Sequence, residues 1–225
     1  MKRIFLGLLV CLLSAGSAFA AMSASEFARL CQAGSLQQIN DAIRRGANVN
    51  APHNRDRMTP LMFAMLNRNP EVVKALIRAG ANVNAQSESG FTPLMFATRI
   101  HSNLEVVTAL IEAGANVNAQ SESGSTPLMN AATSLFPNPE VVTALIKAGA
   151  DVNAQNANGR TALMSAVWLN PDVNPNPRPN PEVIRTLLQH GADPRIKDNS
   201  GKMAIDYANE HIQFRDAEIL RKLSE

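Results

Sequence analysis

The sequence is poor in the residues that most often carry chemistry: two cysteines, four histidines, one tryptophan and one tyrosine in 225 residues. Cys11 lies in the apolar start of the chain, so beyond it Cys31 stands alone and no internal disulfide can form. His53, His101, His190 and His211 are scattered and belong to no H-E-x-x-H motif; C-x-x-C, G-x-S-x-G and glycine-rich phosphate loops are also missing. No catalytic, metal or cofactor site is therefore expected, and His190 reads as a polar residue closing a helix. A basic excess is lacking too. Without Lys2 and Arg3, the 21 Lys and Arg fall to equal the 19 Asp and Glu, which gives no support to nucleic-acid or anionic-membrane binding.

What charge there is lies unevenly. Between Glu26 and Arg99 there are nine Lys or Arg against five acids, whereas from Ile100 to Glu140 four acids (Glu105, Glu112, Glu122, Glu140) stand without a base. In a linear molecule this makes a basic end beside an acidic middle.

The start of the chain has the order of a secretory signal. Lys2 and Arg3 precede an apolar run from Ile4 to Leu13, and Ala18-Phe19-Ala20 ends the segment in the small-residue pattern of a cleavage site. Cleavage after Ala20, a mature chain from Ala21 and a periplasmic location are expected. The run is shorter than the ~20 residues that span a bilayer. Cys11 follows Val10 rather than the small residue of a lipoprotein box, so no membrane anchor is expected after cleavage.

The rest of the chain is repetitive. Thr59-Pro60-Leu61-Met62 returns as Thr92-Pro93-Leu94-Met95, Thr126-Pro127-Leu128-Met129 and Thr161-Ala162-Leu163-Met164, at spacings of 33, 34 and 35. Gly46-Ala47, Gly80-Ala81, Gly114-Ala115, Gly149-Ala150 and Gly191-Ala192 keep step with it. Each threonine suits a helix N-cap, and the proline after it suits the first helical turn. Asn69-Pro70-Glu71, Asn138-Pro139-Glu140 and Asn180-Pro181-Glu182 open a second helix in the same way, with an acid near its positive end. The glycines end that helix, and Asn-Val-Asn-Ala with Ser-Glu-Ser-Gly supplies a turn between pairs. Cys31 falls where this pattern calls for a small buried residue, so it is expected to be an inert core thiol.

These motifs resemble the ankyrin repeat, with its T-P-L-H-x-A start, V-V-x-L-L second helix and G-A-x-V-N turn, over residues 23 to 225. Met62, Met95, Met129 and Met164 replace the family's usual histidine, and core packing is expected of them rather than a thioether metal site, because successive helices stand ~8–10 Å apart. The resemblance implies an all-α solenoid of about six helix pairs: an N-terminal capping repeat at 21–50, central repeats at 51–200 and a C-terminal cap at 201–225. Ser23 and Glu26 open the first helix as a capping box. The Thr-to-Glu separation across each pair lengthens from 12 to 13, 14 and 21, the last through a proline-rich insertion at 169–180 that should form an extended surface loop.

The resemblance also implies a monomeric, non-catalytic binder of another protein, acting through a concave face of turn tips and first helices. Candidate contact residues are Met58, Phe91, Ser125, Arg160 and Lys202, just before the repeat starts, and Arg99, Ser134 and Trp168 near the ends of the first helices. An adaptor or partner-stabilising role is the leading expectation; an inhibitor or immunity partner of another exported protein is the alternative. An enzyme with an unrecognised site and a structural spacer are the remaining readings.

Overall fold

A computed structural model describes residues 22–53, 55–100, 102–134, 136–168, 180–210 and 216–224. Among them are twelve helices: α1 (Ala24–Ala33), α2 (Leu36–Arg44), α3 (Pro60–Ala64), α4 (Pro70–Arg78), α5 (Pro93–Ile100), α6 (Leu104–Glu112), α7 (Pro127–Ala132), α8 (Pro139–Lys147), α9 (Ala162–Val167), α10 (Pro181–Gln189), α11 (Ala204–Glu210) and α12 (Ala217–Ser224). They pack as six pairs. The odd-numbered helices touch one another along an inner row, the even-numbered helices form an outer row, and each pair bridges the two.

The expected caps form with one instructive deviation. Thr92, Thr126 and Thr161 each accept a hydrogen bond from the backbone N–H of Met95, Met129 and Met164 at 3.3 Å. The Thr59 hydroxyl is buried without a partner, and the Thr59 N–H instead meets the Met62 sulfur at 3.4 Å. The hairpin before it is longer by one residue, closing from His53 N–H to Met58 O where the next closes from Ser87 to Phe91. The four central second helices open on an asparagine: the side chains of Asn69, Asn103, Asn138 and Asn180 accept from the N–H groups of Glu71, Glu105, Glu140 and Glu182. At the start of the stack, Ser23 and Glu26 form the expected reciprocal box, and Ser35 with Gln38 forms another that opens α2.

Between the rows runs one continuous core. Leu61, Leu94, Leu128 and Leu163 fill it from the inner helices, and Leu76, Leu110, Leu145 and Leu187 from the outer ones, none more than 1% exposed. Met62, Met95, Met129 and Met164 are buried in the same layer, as a flexible apolar side chain in place of a histidine predicts. Cys31 is fully buried. Burial pushes its thiol up to about 12, so no thiolate forms at neutral pH.

Neighbouring repeats are stitched by a ladder of asparagines. Asn50 Nδ2 donates to Gly80 O at 2.9 Å while its Oδ1 accepts from Asn82 N–H at 2.7 Å. Asn84 repeats the pair with Gly114 and Asn116, Asn118 with Gly149 and Asp151, and Asn153 with Gly191 and Asp193. One amide thus satisfies both an orphan carbonyl at a helix end and a turn N–H of the next unit.

The hairpin tips add a backbone link per step: Glu122 N–H to Ser89 O and Ala157 N–H to Ser123 O, at 3.1 and 3.0 Å. Glycine is required there. Gly90 and Gly124 have φ of 76° and 72°, and a Cβ on either would come within 2.9 Å of the next tip's backbone.

The closing helix of the expected C-terminal cap at 201–225 is Ala217–Ser224; residues 211–215 lie outside the described residues. So do residues 1–21, with the expected signal segment, and 169–179 of the proline-rich insertion.

Candidate functional site

The inner-helix face is built from two variable positions of each repeat and the hairpin beside them. Residues just before the inner helices, Met58, Phe91, Ser125, Arg160 and Lys202, are all half-buried. Arg99 is exposed at the last turn of α5, and Trp168 is half-buried at the C-cap of α9.

The structure gathers these candidates into two clusters. In the third repeat, Phe91 packs on Phe96 with ring centres 5.5 Å apart, and the Arg99 guanidinium lies 5.5 Å from the Phe91 ring centre. Further along, the Arg160 guanidinium lies close to two rings, 4.0 Å from the centre of Trp168 and 5.2 Å from that of Tyr207. Lys202 Nζ is 5.4 Å from the Tyr207 ring and bonds Glu210 at 2.5 Å. Met58 and Ser125 join neither cluster; Met58 O accepts from His53 N–H, and the Ser125 hydroxyl shares a 3.1 Å hydrogen bond with Ser123.

Ser134 does not lie on this face. It is 6% exposed, and its hydroxyl donates to Arg99 O at 3.3 Å, tying the ends of α5 and α7 together. The exposed residue there is Thr133, which occupies the register of Arg99 and Trp168, each seven residues after its threonine. Ser134 stands one residue past that register, beyond the end of α7 at Ala132.

A buried carboxylate anchors the second cluster. Asp198 is 7% exposed; its Oδ1 accepts from the Ser200 N–H and hydroxyl and from Lys202 N–H, and its Oδ2 accepts from the Tyr207 hydroxyl. Burial pushes its carboxyl up, but the hydrogen bonds from Tyr207, Ser200 and Lys202 outweigh burial and hold it down at about 2. Burial and the Asp198 bond push the Tyr207 phenol up.

Sequence reasoning missed His53 and Phe63, whose rings meet edge-on at 5.1 Å, together with Phe96, Asn130, Asp198 and Tyr207. A signal for three of them was present. In Thr-x-Leu-Met-x-Ala the fifth position varies as Phe63, Phe96, Asn130 and Ser165 while its neighbours do not.

A groove of about 630 Å³ lies elsewhere, at the inter-helix turns, lined by Met65, Arg68, Leu104 and the exposed Phe136 among others. No trio of His, Cys, Asp or Glu is placed to hold a metal ion, and no helix is long and apolar enough to cross a membrane, among the described residues.

Paired helices stacked in register, joined through an asparagine ladder and showing a face of variable residues, define a repeat protein that works by binding other proteins. The family model for ankyrin repeats (3 copies) matches residues 27–121, 100–198 and 129–223, and the chain belongs to the ankyrin repeat family. It is similar, at 27% identity and a TM-score of 0.71, to a chain in the structure of the Bd0816 predatory endopeptidase from Bdellovibrio bacteriovorus in complex with immunity protein Bd3460; the likeness covers 90% of this chain and 97% of that one. No curated protein matches the sequence.

Proposed function

We propose that this chain is exported and acts as a non-catalytic inhibitor, or immunity partner, of an exported peptidase, which it binds through its inner-helix face. The observation that carries the reading is the 97% coverage of a chain from an endopeptidase–immunity protein complex, at 27% identity and through the same repeat architecture. The signal-like segment ending at Ala20 supports export, and a periplasmic peptidase would share the compartment. A stack with two aromatic–cationic clusters on one face offers the rigid anchors that dominate protein–protein binding energy. These observations favour the inhibitor over the general adaptor, which would need two partners and two surfaces. Titration of the purified protein against the exported peptidases of its own cell tests the proposal. Saturating inhibition at equimolar ratio, with a stable one-to-one complex, is expected; uninhibited peptidases, or substrate turnover by this chain alone, would overturn it. Intact mass of the periplasmic form, beginning at Ala21, tests the export step.

A further inference from the structure

Three consecutive repeats of the inner-helix face carry a polar donor, Arg99, Asn130 and Arg160, and in the last two a buried N–H has no hydrogen-bond partner. The middle one is Asn130, which occupies the position of Phe63 and Phe96 in the preceding repeats. Phe96 packs against Phe91, and the residue in the register of Phe91 in the fourth repeat is Ser125, so a ring pair has been replaced by two small polar side chains. Asn130 is only 7% exposed, and its Nδ2 is buried with no hydrogen-bond partner. A buried amide in that state weakens the fold, and a phenylalanine is already accommodated at this position one repeat earlier.

On one side of Asn130 stands Arg99, exposed over Phe91 and in no ion pair among the described residues. On the other side is Arg160. Its Nε is buried without a hydrogen-bond partner, and its nearest carboxylate oxygen is Asp198 Oδ2 at 3.9 Å. The Asp198 oxygens accept from Tyr207, Ser200 and the Lys202 N–H, and at 3.9 Å the carboxylate pairs with Arg160 through charge without hydrogen-bonding its Nε. Trp168 and Tyr207 lie against the guanidinium, which also hydrogen-bonds the Tyr207 side chain, and Nε–H is the donor left without an acceptor. The exposed acids of the region, Glu88 and Glu122, stand at the hairpin tips and would hold a negative segment away from the tips, against the inner helices.

We propose that this row receives an extended acidic segment of the partner protein, with carboxylates on Arg99 and Arg160 and a main-chain carbonyl on Asn130. The proposal rests on the binding role argued above and names the chemistry of what is bound. Two steps of the inner row span on the order of 16–20 Å, which places the two acids about five or six residues apart in an extended chain.

A phage-displayed library of random 15-residue peptides, selected on the purified protein, tests this directly. Enriched peptides are expected to carry paired Asp or Glu at that separation. Synthetic copies should bind the Arg99→Glu and Arg160→Gln variants at least about tenfold more weakly than the parent. Asn130→Leu should melt at or above the parent temperature and still bind at least about tenfold more weakly, a split that a structural asparagine would not produce. Enrichment of apolar or basic peptides, no enrichment, or acidic peptides that bind all three variants like the parent would each overturn the proposal. Peptidase inhibition is read separately: its absence alongside acid-selective binding removes the inhibitor role and leaves the acidic segment, while inhibition undisturbed by the three variants does the reverse.

Discussion

The guanidinium of Arg160 lies 4.0 Å from the centre of the Trp168 ring, so the single tryptophan of the chain is engaged by its own repeat before any partner arrives. A cation–π contact at this distance, partly shielded from water, contributes about 0.5–2 kcal/mol. Trp168→Ala and Arg160→Ala should therefore each lower stability, and the double variant should lose less than the sum, with a coupling of about 0.5–1 kcal/mol in a denaturation cycle. Additive losses would show that the contact contributes nothing. Trp168→Phe, which keeps a ring at the site, should recover much of the stability.

Asn84 bridges two repeats with one amide, donating to Gly114 O at 2.9 Å and accepting from Asn116 N–H at 2.7 Å. Asn84→Ala leaves both partners without their bonds, at a cost of about 1–3 kcal/mol after water partly replaces them. Asn84→Asp keeps the acceptor but sets a carboxylate against the Gly114 carbonyl, so it should also destabilise at neutral pH. Denaturant melts of both variants check this; an aspartate that matches the parent would mean that the donor half of the bridge is dispensable.

The repeat frame and the burial of its leucines and methionines were legible from Thr59, Thr92, Thr126 and Thr161, because one helix pair cannot bury its apolar side alone and its register is then copied along the stack. The site was less legible, for two physical reasons. Residues that meet on this face come from different repeats, as Arg160 and Tyr207 do, and spacing within one repeat does not reveal which ring will cover which cation. A single position at a helix end also matters: Ser134 and Thr133 are adjacent just past α7, yet one is buried under Arg99 O and the other faces water. Asp198 reads as an ordinary turn residue until the fold brings the Tyr207 hydroxyl to it.

Asp198 gives the stack an acid-sensitive point. Its carboxyl titrates at about 2 in the folded chain against an ordinary value of 3.8, so the ionised form is favoured by folding. A depressed folded value means that this stabilisation is fully present above 3.8 and is lost as the pH falls from there through about 2. Thermal melts of the parent should fall across that window more steeply than those of Asp198→Asn, which has no such proton to take up. Asp198→Asn should also melt lower at neutral pH, since it replaces a charged acceptor of four hydrogen bonds with an amide. Parallel melting curves would place the acid sensitivity elsewhere.

Arg57 holds a backbone conformation that its counterparts leave to glycine. Its φ is 55°, and the residues in its register, Gly90, Gly124, Gly159 and Gly201, have φ of 76°, 72°, 75° and 81°. A left-handed conformation costs an ordinary L-residue roughly 1–2 kcal/mol, while glycine loses about 0.5–1 kcal/mol more chain entropy on folding. The first term is the larger, so Arg57→Gly should stabilise the protein, by no more than about 1 kcal/mol. Arg57→Ala, which keeps the Cβ and the strain, should leave stability within about 0.5 kcal/mol of the parent. Strain retained at an exposed hairpin beside the inner-helix face calls for a role of the guanidinium in binding. Both variants should then weaken the partner complex by a similar factor although their stabilities move apart. Affinity unchanged from the parent in both would assign Arg57 to solvent, and a destabilised Arg57→Gly would show that chain entropy outweighs the strain.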